Sequence, residues 1–226
     1  MASKDQLTQF KYRILASALL CILFCTFAFP VQAYAKVNSN SIPDLNTFIE
    51  TVKDGNASTL RGVYVPNVMA LAIVQQPMGN PGYVSTTESV ATQFSIATEV
   101  GNVGLLAHNT AAGSFFSNIK SGDRIVLVYG DGHLESFMAK SIQRYQALNP
   151  LSPYSQFSDL EAQTKFSAEE LFNKVYRGEY HLTLQTCIEN NGNASWGRLF
   201  ILAEPVENSG KTVNALALLS NKKHID

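Results

Sequence analysis

The sequence predicts a mainly β domain: a closed antiparallel β-barrel with one helix before it and a second helix inside a long loop. Three observations predict it. Short β-rich stretches recur from Leu60 onward, Pro, Gly and Asn separate them, and few segments carry helical periodicity. The 226 residues are 46% hydrophobic and 15% charged, which is enough apolar material for one domain with a core. Seventeen Lys and Arg against 18 Asp and Glu give a formal net charge of -1, which argues against nucleic acid as a partner.

At the N-terminus, Lys4, Lys11 and Arg13 precede an uncharged apolar run from Ile14 to Phe29. Pro30 interrupts it, and Ala33-Tyr34-Ala35 has the A-x-A form that signal peptidase accepts. Residues 1–35 therefore read as a signal peptide cleaved after Ala35, or as an uncleaved signal anchor. The run of about sixteen residues falls just short of the roughly 17–25 that span hydrocarbon. In either form the positive flank stays inside and the remainder lies outside the cytoplasm, secreted or anchored to the outer face of the membrane. Removal of this segment takes Cys21 and Cys25 with it, leaves 14 bases against 17 acids, and makes Cys187 the sole thiol. A lone cysteine is unusual in an exported domain, where thiols tend to pair or disappear, and it reads either as a reactive thiol or as an inert buried residue.

Residues 36–59 are expected to form a linker and an N-terminal helix. Asn38 to Asn40 are polar. Asp44 then opens a segment with Leu45, Phe48, Ile49 and Val52 at helical spacing, with Pro43 just before it and Gly55 as a stop signal.

Residues 60–206 are expected to be the barrel. Strands are predicted at Val63–Val65, Val68–Val74, Gln93–Ala97 and Val103–Ala107. A hairpin pairs Ile125–Tyr129 with Leu134–Ile142 across a turn in which Asp131-Gly132 favours positive φ. From Pro150 to Tyr180 a long polar loop holds a helix that Ser167 caps and Glu170 closes as a capping box. Loops of that length are often functional, so this one is a candidate cleft wall. Two more strands, Tyr180–Thr186 and Arg198–Ala203, are joined by the Asn- and Gly-rich stretch from Glu189 to Gly197, read as a flexible surface loop. Residues 207–226 form a C-terminal tail, in which Val213–Leu219 suits an extra strand or a docked helix.

The chemistry centres on Thr183-Leu184-Gln185-Thr186-Cys187, a strand predicted to end on the thiol, where it would be exposed on a rigid support. Arg198 opens the next strand, so antiparallel pairing would put both on one rim. A guanidinium there can bind an oxyanion or orient a carbonyl; otherwise Arg198 is a surface residue in a salt bridge. A thiol nucleophile also needs an imidazole. His133 falls in a hairpin turn, His224 in the tail, and His181 too far back on the Cys187 strand, which leaves His108 at the end of Val103–Ala107, as the thiol's partner or as a structural strand-end histidine. No metal site is expected, because the sequence has neither paired CxxC spacing nor an HExxH helix. There is also no GxSxG elbow and no Walker-type loop.

This arrangement resembles the sortase family of cysteine transpeptidases. Thr183 to Cys187 match its Thr-Leu-x-Thr-Cys signature, and Arg198-Leu199-Phe200-Ile201 lies a short distance downstream. Gly104-Leu105-Leu106-Ala107-His108-Asn109 looks like the histidine motif, with Ala107 where Gly is common. Phe115, Phe116, Ile119 and Gly122-Asp123-Arg124-Ile125 follow in family order. The likeness spans roughly Leu60 to Pro205.

The resemblance implies an eight-stranded barrel with a groove ending at Cys187. It implies Cys187 as nucleophile, His108 as acid/base, Arg198 as transition-state stabiliser, and Thr183, Thr186 and Asn109 as substrate contacts. It also implies an exported protein with a sorting motif as substrate, an amine such as a cell-wall precursor or pilin lysine as acceptor, and no cofactor. Two other classes fit the residues: a cysteine hydrolase or peptidase, and a non-catalytic β-barrel that binds peptide or wall polymer.

Overall fold

A computed structural model describes residues 42–206. The export segment and the C-terminal tail, including the expected element at Val213–Leu219, lie outside the described residues. Among the described residues no helix is long and apolar enough to cross a membrane.

Helix α1 (Leu45–Val52) forms where its spacing predicts. Asp44 caps it by accepting a hydrogen bond from the Thr47 backbone N–H at 3.1 Å, satisfying one of the donors a helix start leaves free. Its apolar face lays Phe48 and Val52 against Tyr64, Ala72, Val126 and Val128 on the outside of the sheet.

Eight strands close into a ring. β1 (Leu60–Val65) pairs antiparallel with β2 (Met69–Gln75) and with β5 (Arg124–Tyr129). β2 pairs parallel with β3 (Val90–Gln93), and β3 antiparallel with β4 (Val103–Leu106). β4 lies parallel to β9 (Leu182–Asn190), which forms an antiparallel hairpin with β10 (Asn193–Pro205). β10 pairs antiparallel with β6 (Leu134–Ala147), and β6 returns to β5. Two short strands, β7 (Phe157–Asp159) and β8 (Lys165–Phe166), extend the sheet beyond β6.

The barrel is thus closed and mainly β as expected, but two of its pairs are parallel. Parallel neighbours need long connections, and the chain has them at 76–89 and between β4 and β9.

Two local expectations are corrected. Gln93–Ala97 is not one strand: β3 stops at Gln93, and Ser95–Glu99 form a short helix, α2. Its start is held from a distance, because the Gln76 side-chain carbonyl accepts from the Ser95 backbone N–H at 2.9 Å and from its hydroxyl at 2.8 Å. The stretch Glu189–Gly197 is the tip of the β9–β10 hairpin and not a flexible loop. Asn191 and Gly192 both take the positive φ that a tight two-residue turn demands.

Inside the barrel, Leu71, Ile73, Leu105, Phe116, Ile125, Leu127, Phe137, Leu184 and Ile201 form a continuous buried cluster. Full burial of such side chains contributes roughly 1.5–3 kcal/mol each. A second cluster lies on the outside, where the β6–β9 connection folds back over the sheet. Helix α3 (Ala168–Tyr176), with the predicted Ser167–Glu170 capping box, packs Leu171, Val175 and Tyr176 against Tyr145, Phe157 and Phe200. This cover sits beside the face that carries Cys187.

Candidate active site

Strand β9 alternates as its sequence dictates. Leu182, Leu184 and Thr186 point into the barrel, and Thr183, Gln185 and Cys187 point out. Cys187 is the one cysteine among the described residues, a free thiol, half-buried. It lies within the strand, which runs on to Asn190, so the expectation of a strand tip is corrected. The hairpin adds three residues beyond it.

Arg198 stands directly opposite Cys187 in the β9–β10 ladder. Directly opposed residues of an antiparallel pair project to the same face. The guanidinium is held by its own hairpin: Nη1 donates to the carbonyls of Ser195 at 3.0 Å and Gly197 at 2.9 Å. Its carbon lies 5.9 Å from the centre of the Phe157 ring, within cation–π range. A side chain at position 197 would meet the Tyr145 carbonyl at 2.6 Å, so this close crossing of β10 and β6 requires glycine. Among the described residues the ion pairs are Lys53–Glu50, Arg61–Asp54, His133–Asp131 and Lys140–Glu204, and none of them includes Arg198. The guanidinium therefore keeps donors for something else.

His108 arrives from the other side. β4 and β9 are parallel with Leu106 paired to Gln185, and His108 and Cys187 each lie two places further on. Val103, Leu105 and Ala107 face the barrel core, so His108 shares the outward parity of Cys187. The segment is anchored. Thr186 donates its hydroxyl to the Ala107 carbonyl at 2.9 Å, and the His108 carbonyl accepts from the Ala111 and Gly113 N–H groups, both at 2.9 Å. These last bonds start a 3₁₀ helix, Ala112–Asn118, that sequence reading did not foresee. A Cβ on Gly113 would lie 2.6 Å from the Ala107 carbonyl oxygen and would also strike the Thr186 hydroxyl. The close approach that holds the histidine segment depends on that glycine.

The other histidines are committed elsewhere. His133 stacks on Tyr129 with ring centres 4.1 Å apart and sits 2.5 Å from the Asp131 carboxylate. The His181 ring nitrogens lie 2.7 and 3.0 Å from the carbonyls of Glu179 and Val175. His224 lies outside the described residues. Neither ring nitrogen of His108 has a hydrogen-bond partner among the described residues.

The resemblance implies Thr183 and Thr186 as substrate contacts. Both are buried, and each spends its hydroxyl on a backbone carbonyl: Thr183 on Val175 at 2.6 Å, Thr186 on Ala107. They brace the Cys187 strand from its two faces. Asn109 donates its side-chain amide to the Ala194 carbonyl at 2.9 Å, linking the histidine segment to the β9–β10 hairpin. Phe157 and the carbonyls of Ala194 and Ser195 carried no sequence signal, because their partners are distant in the chain or are backbone atoms.

Beyond Arg198 the same row of the sheet continues through Tyr145 to Asp159. Burial, and after it the charges of Asp159 and Glu161, push the Tyr145 hydroxyl up to about 12, so it stays protonated. The Asp159 carboxyl is held below its ordinary range mainly by the Ala162 N–H, then by that of Glu161 and by the Lys174 charge. Among the described residues no group of three or more His, Cys, Asp or Glu could hold a metal ion. Strands β9 and β10 and the segment just past β4 thus bring a thiol, a guanidinium and an imidazole to the outer face of the barrel. Such a set can supply nucleophile, proton carrier and anion stabiliser for acyl transfer.

No family model matches the chain, and no curated protein does. Solved structures do resemble it. Sortase A of Listeria monocytogenes is 15% identical, with 68% of this chain and 89% of that one covered and a TM-score of 0.43. Sortase C1 of GBS pilus island 1 is 15% identical over 70% of each chain, at a TM-score of 0.45. A Clostridium perfringens sortase D5 transpeptidase is 13% identical over 72% of this chain and 86% of that one, at 0.43. The likeness to these sortases is one of fold.

Proposed function

We propose that the chain is an exported cysteine transpeptidase of the sortase type, which cuts a sorting-signal peptide and passes the acyl group to an amine. The observation that carries this reading is the register of β4, β9 and β10, in which Cys187 lies between Arg198, directly opposed, and His108, two places past the last paired position. The matched sequence motifs around the same three residues support it independently.

In this reading the Cys187 thiolate attacks the carbonyl carbon of the scissile peptide bond, forming a C–S bond. The electron pair moves to the carbonyl oxygen, where Arg198 donates hydrogen bonds. Collapse of that intermediate breaks the C–N bond, and the His108 imidazolium gives its proton to the leaving amine nitrogen. The product is a thioester with neutral His108. An acceptor amine then attacks the thioester carbonyl and loses a proton to His108, and the thiolate leaves. The enzyme returns to its starting state without an oxidant or cofactor. The substrate is an exported protein carrying a Leu-Pro-x-Thr-Gly-like motif. Residues 1–35 direct export, and residues 60–206 carry the chemistry.

The test is product analysis of the purified protein with a library of such peptides, in the presence and absence of a primary amine. The reading predicts a new amide that grows at the expense of the free acid as amine is added. Acid alone at every amine concentration makes the protein a hydrolase, and no cleavage of any peptide removes the catalytic reading.

A further inference from the structure

We infer that Asn109 and a bulge in β10 form one positioning device that sets His108 and Arg198 relative to each other across Cys187. The inference rests on the transpeptidase reading and adds to it a residue that touches no reacting atom.

The bulge is defined by register. Asn193 opposes Asn190 and Gly197 opposes Ile188, so β10 carries two more residues than β9 between these pairs. Extra residues of this kind leave the ladder, and their main-chain groups need other partners. Two carbonyls of the bulge find them. Ala194 O accepts from the Asn109 side-chain amide at 2.9 Å, and Ser195 O accepts from Arg198 Nη1 at 3.0 Å. Successive peptide units of one short segment are therefore gripped by the residue after His108 and by Arg198. A side-chain hydrogen bond also pins the bulge, from the Ser195 N–H to the Asn193 side-chain oxygen at 3.0 Å.

On the histidine side, residues 107–113 are held by the Thr186 hydroxyl on Ala107 O and by the Ala111 and Gly113 N–H groups on His108 O. Both ties lie on the β9 and 3₁₀ side of the segment. The Asn109 amide is its tie toward β10. Without it, the His108 backbone keeps its anchorage to β9 and loses its fixed relation to the strand that carries Arg198. Acyl transfer depends strongly on such relations, because the donor fork and the proton carrier must both meet one tetrahedral centre. The bond also gives Asn109 a role other than substrate contact, since its amide is already engaged.

The test is steady-state kinetics of the full chain with a sorting peptide and a primary amine, for wild type, Asn109→Ala, Asn109→Asp and Asn109→Gln. The loss of one hydrogen bond of ordinary strength predicts a kcat lower by roughly three- to tenfold in Asn109→Ala, with KM within about twofold. Asn109→Asp keeps the size but has no donor and should be as slow; Asn109→Gln keeps the amide and should recover part of the rate. Combining Asn109→Ala with Arg198→Lys should cost less than the product of the single effects, because both act through one segment. Wild-type kcat in both Asn109→Ala and Asn109→Asp overturns the inference. So does a raised KM with unchanged kcat, which would make Asn109 a substrate contact. If Asn109→Ala fails to fold, Asn109→Asp and Asn109→Gln decide the question alone. A wild-type protein that cleaves nothing removes the transpeptidase reading and this inference together, whereas an active wild type with indifferent Asn109 variants removes the inference only.

Discussion

Cys187 and Arg198 are directly opposed across the β9–β10 ladder, and both project from the outer face of the barrel. Opposed positions in an antiparallel pair have Cβ atoms about 4.5–5.5 Å apart. Backbone pairing therefore holds the two Cβ atoms together, while the guanidinium itself leans over the Phe157 ring with its fork oriented by the Ser195 and Gly197 carbonyls. Lys at this position would keep the charge and lose the planar fork.

Arg198→Lys is expected to lower kcat by roughly the 10²–10³ typical of losing one oxyanion donor. A modest loss of thermal stability should accompany it, since Lys cannot reproduce both bonds to the Ser195 and Gly197 carbonyls. Steady-state kinetics with a fluorogenic sorting peptide measures it. Wild-type kcat and KM would show that Arg198 takes no part in the reaction.

Phe157 lies beneath the Arg198 guanidinium and belongs to the outer apolar cluster with Tyr145 and Phe200. Phe157→Leu keeps an apolar group and loses the ring face, worth roughly 0.5–1 kcal/mol at a partly exposed cation–π contact. A drop of a few-fold in kcat should accompany a modest loss of stability, and Phe157→Tyr should restore the rate. Equal rates for the Leu and Tyr variants would mean that the ring does not orient Arg198.

The Asp54 carboxylate accepts from Arg61 Nε at 2.7 Å and from the Asn56 N–H at 3.0 Å. The Arg61 hydrogen bond, then that of Asn56, holds its pKa below the ordinary carboxylate value. A carboxylate lowered in the folded state contributes stability above its unfolded pKa and loses it as pH falls through the folded value. Asp54→Asn should therefore destabilise the protein by up to about 1 kcal/mol at neutral pH, the site being partly exposed. The gap to wild type should close below about pH 4, where the unfolded carboxyl also binds a proton. Urea denaturation across pH measures it, and a gap that is constant down to pH 3 would contradict the assignment.

Much of this was legible in the sequence where the signal is local. Asp44 before an apolar 3.6-residue pattern, Ser167 three residues before Glu170, and Asp131-Gly132 between two β-rich runs each encode an element through near neighbours. The short helix at Ser95–Glu99 was not legible, because its start is held by Gln76, nineteen residues earlier. The hairpin at Asn191-Gly192 did carry the tight-turn signal, but the surrounding Asn and Gly residues read equally as a loop. In the site, the motif residues Cys187, His108 and Arg198 could be singled out one by one. Their shared face could not, since it depends on a parallel pairing of β4 with β9 across more than seventy residues. Thr183 and Thr186 matched a motif, yet only their burial reveals that they brace the strand.

The proposed reaction passes through a thioester on Cys187, which intact-mass spectrometry with peptide mapping would detect. The protein is incubated with a peptide bearing a Leu-Pro-x-Thr-Gly-like motif, quenched in acid, and mapped before and after addition of a primary amine. An acyl adduct on Cys187 that the amine discharges as an amide is expected, with no adduct or turnover in Cys187→Ala. Absence of any adduct on Cys187 in a wild type that cleaves the peptide, or turnover at the wild-type rate by Cys187→Ala, would contradict it.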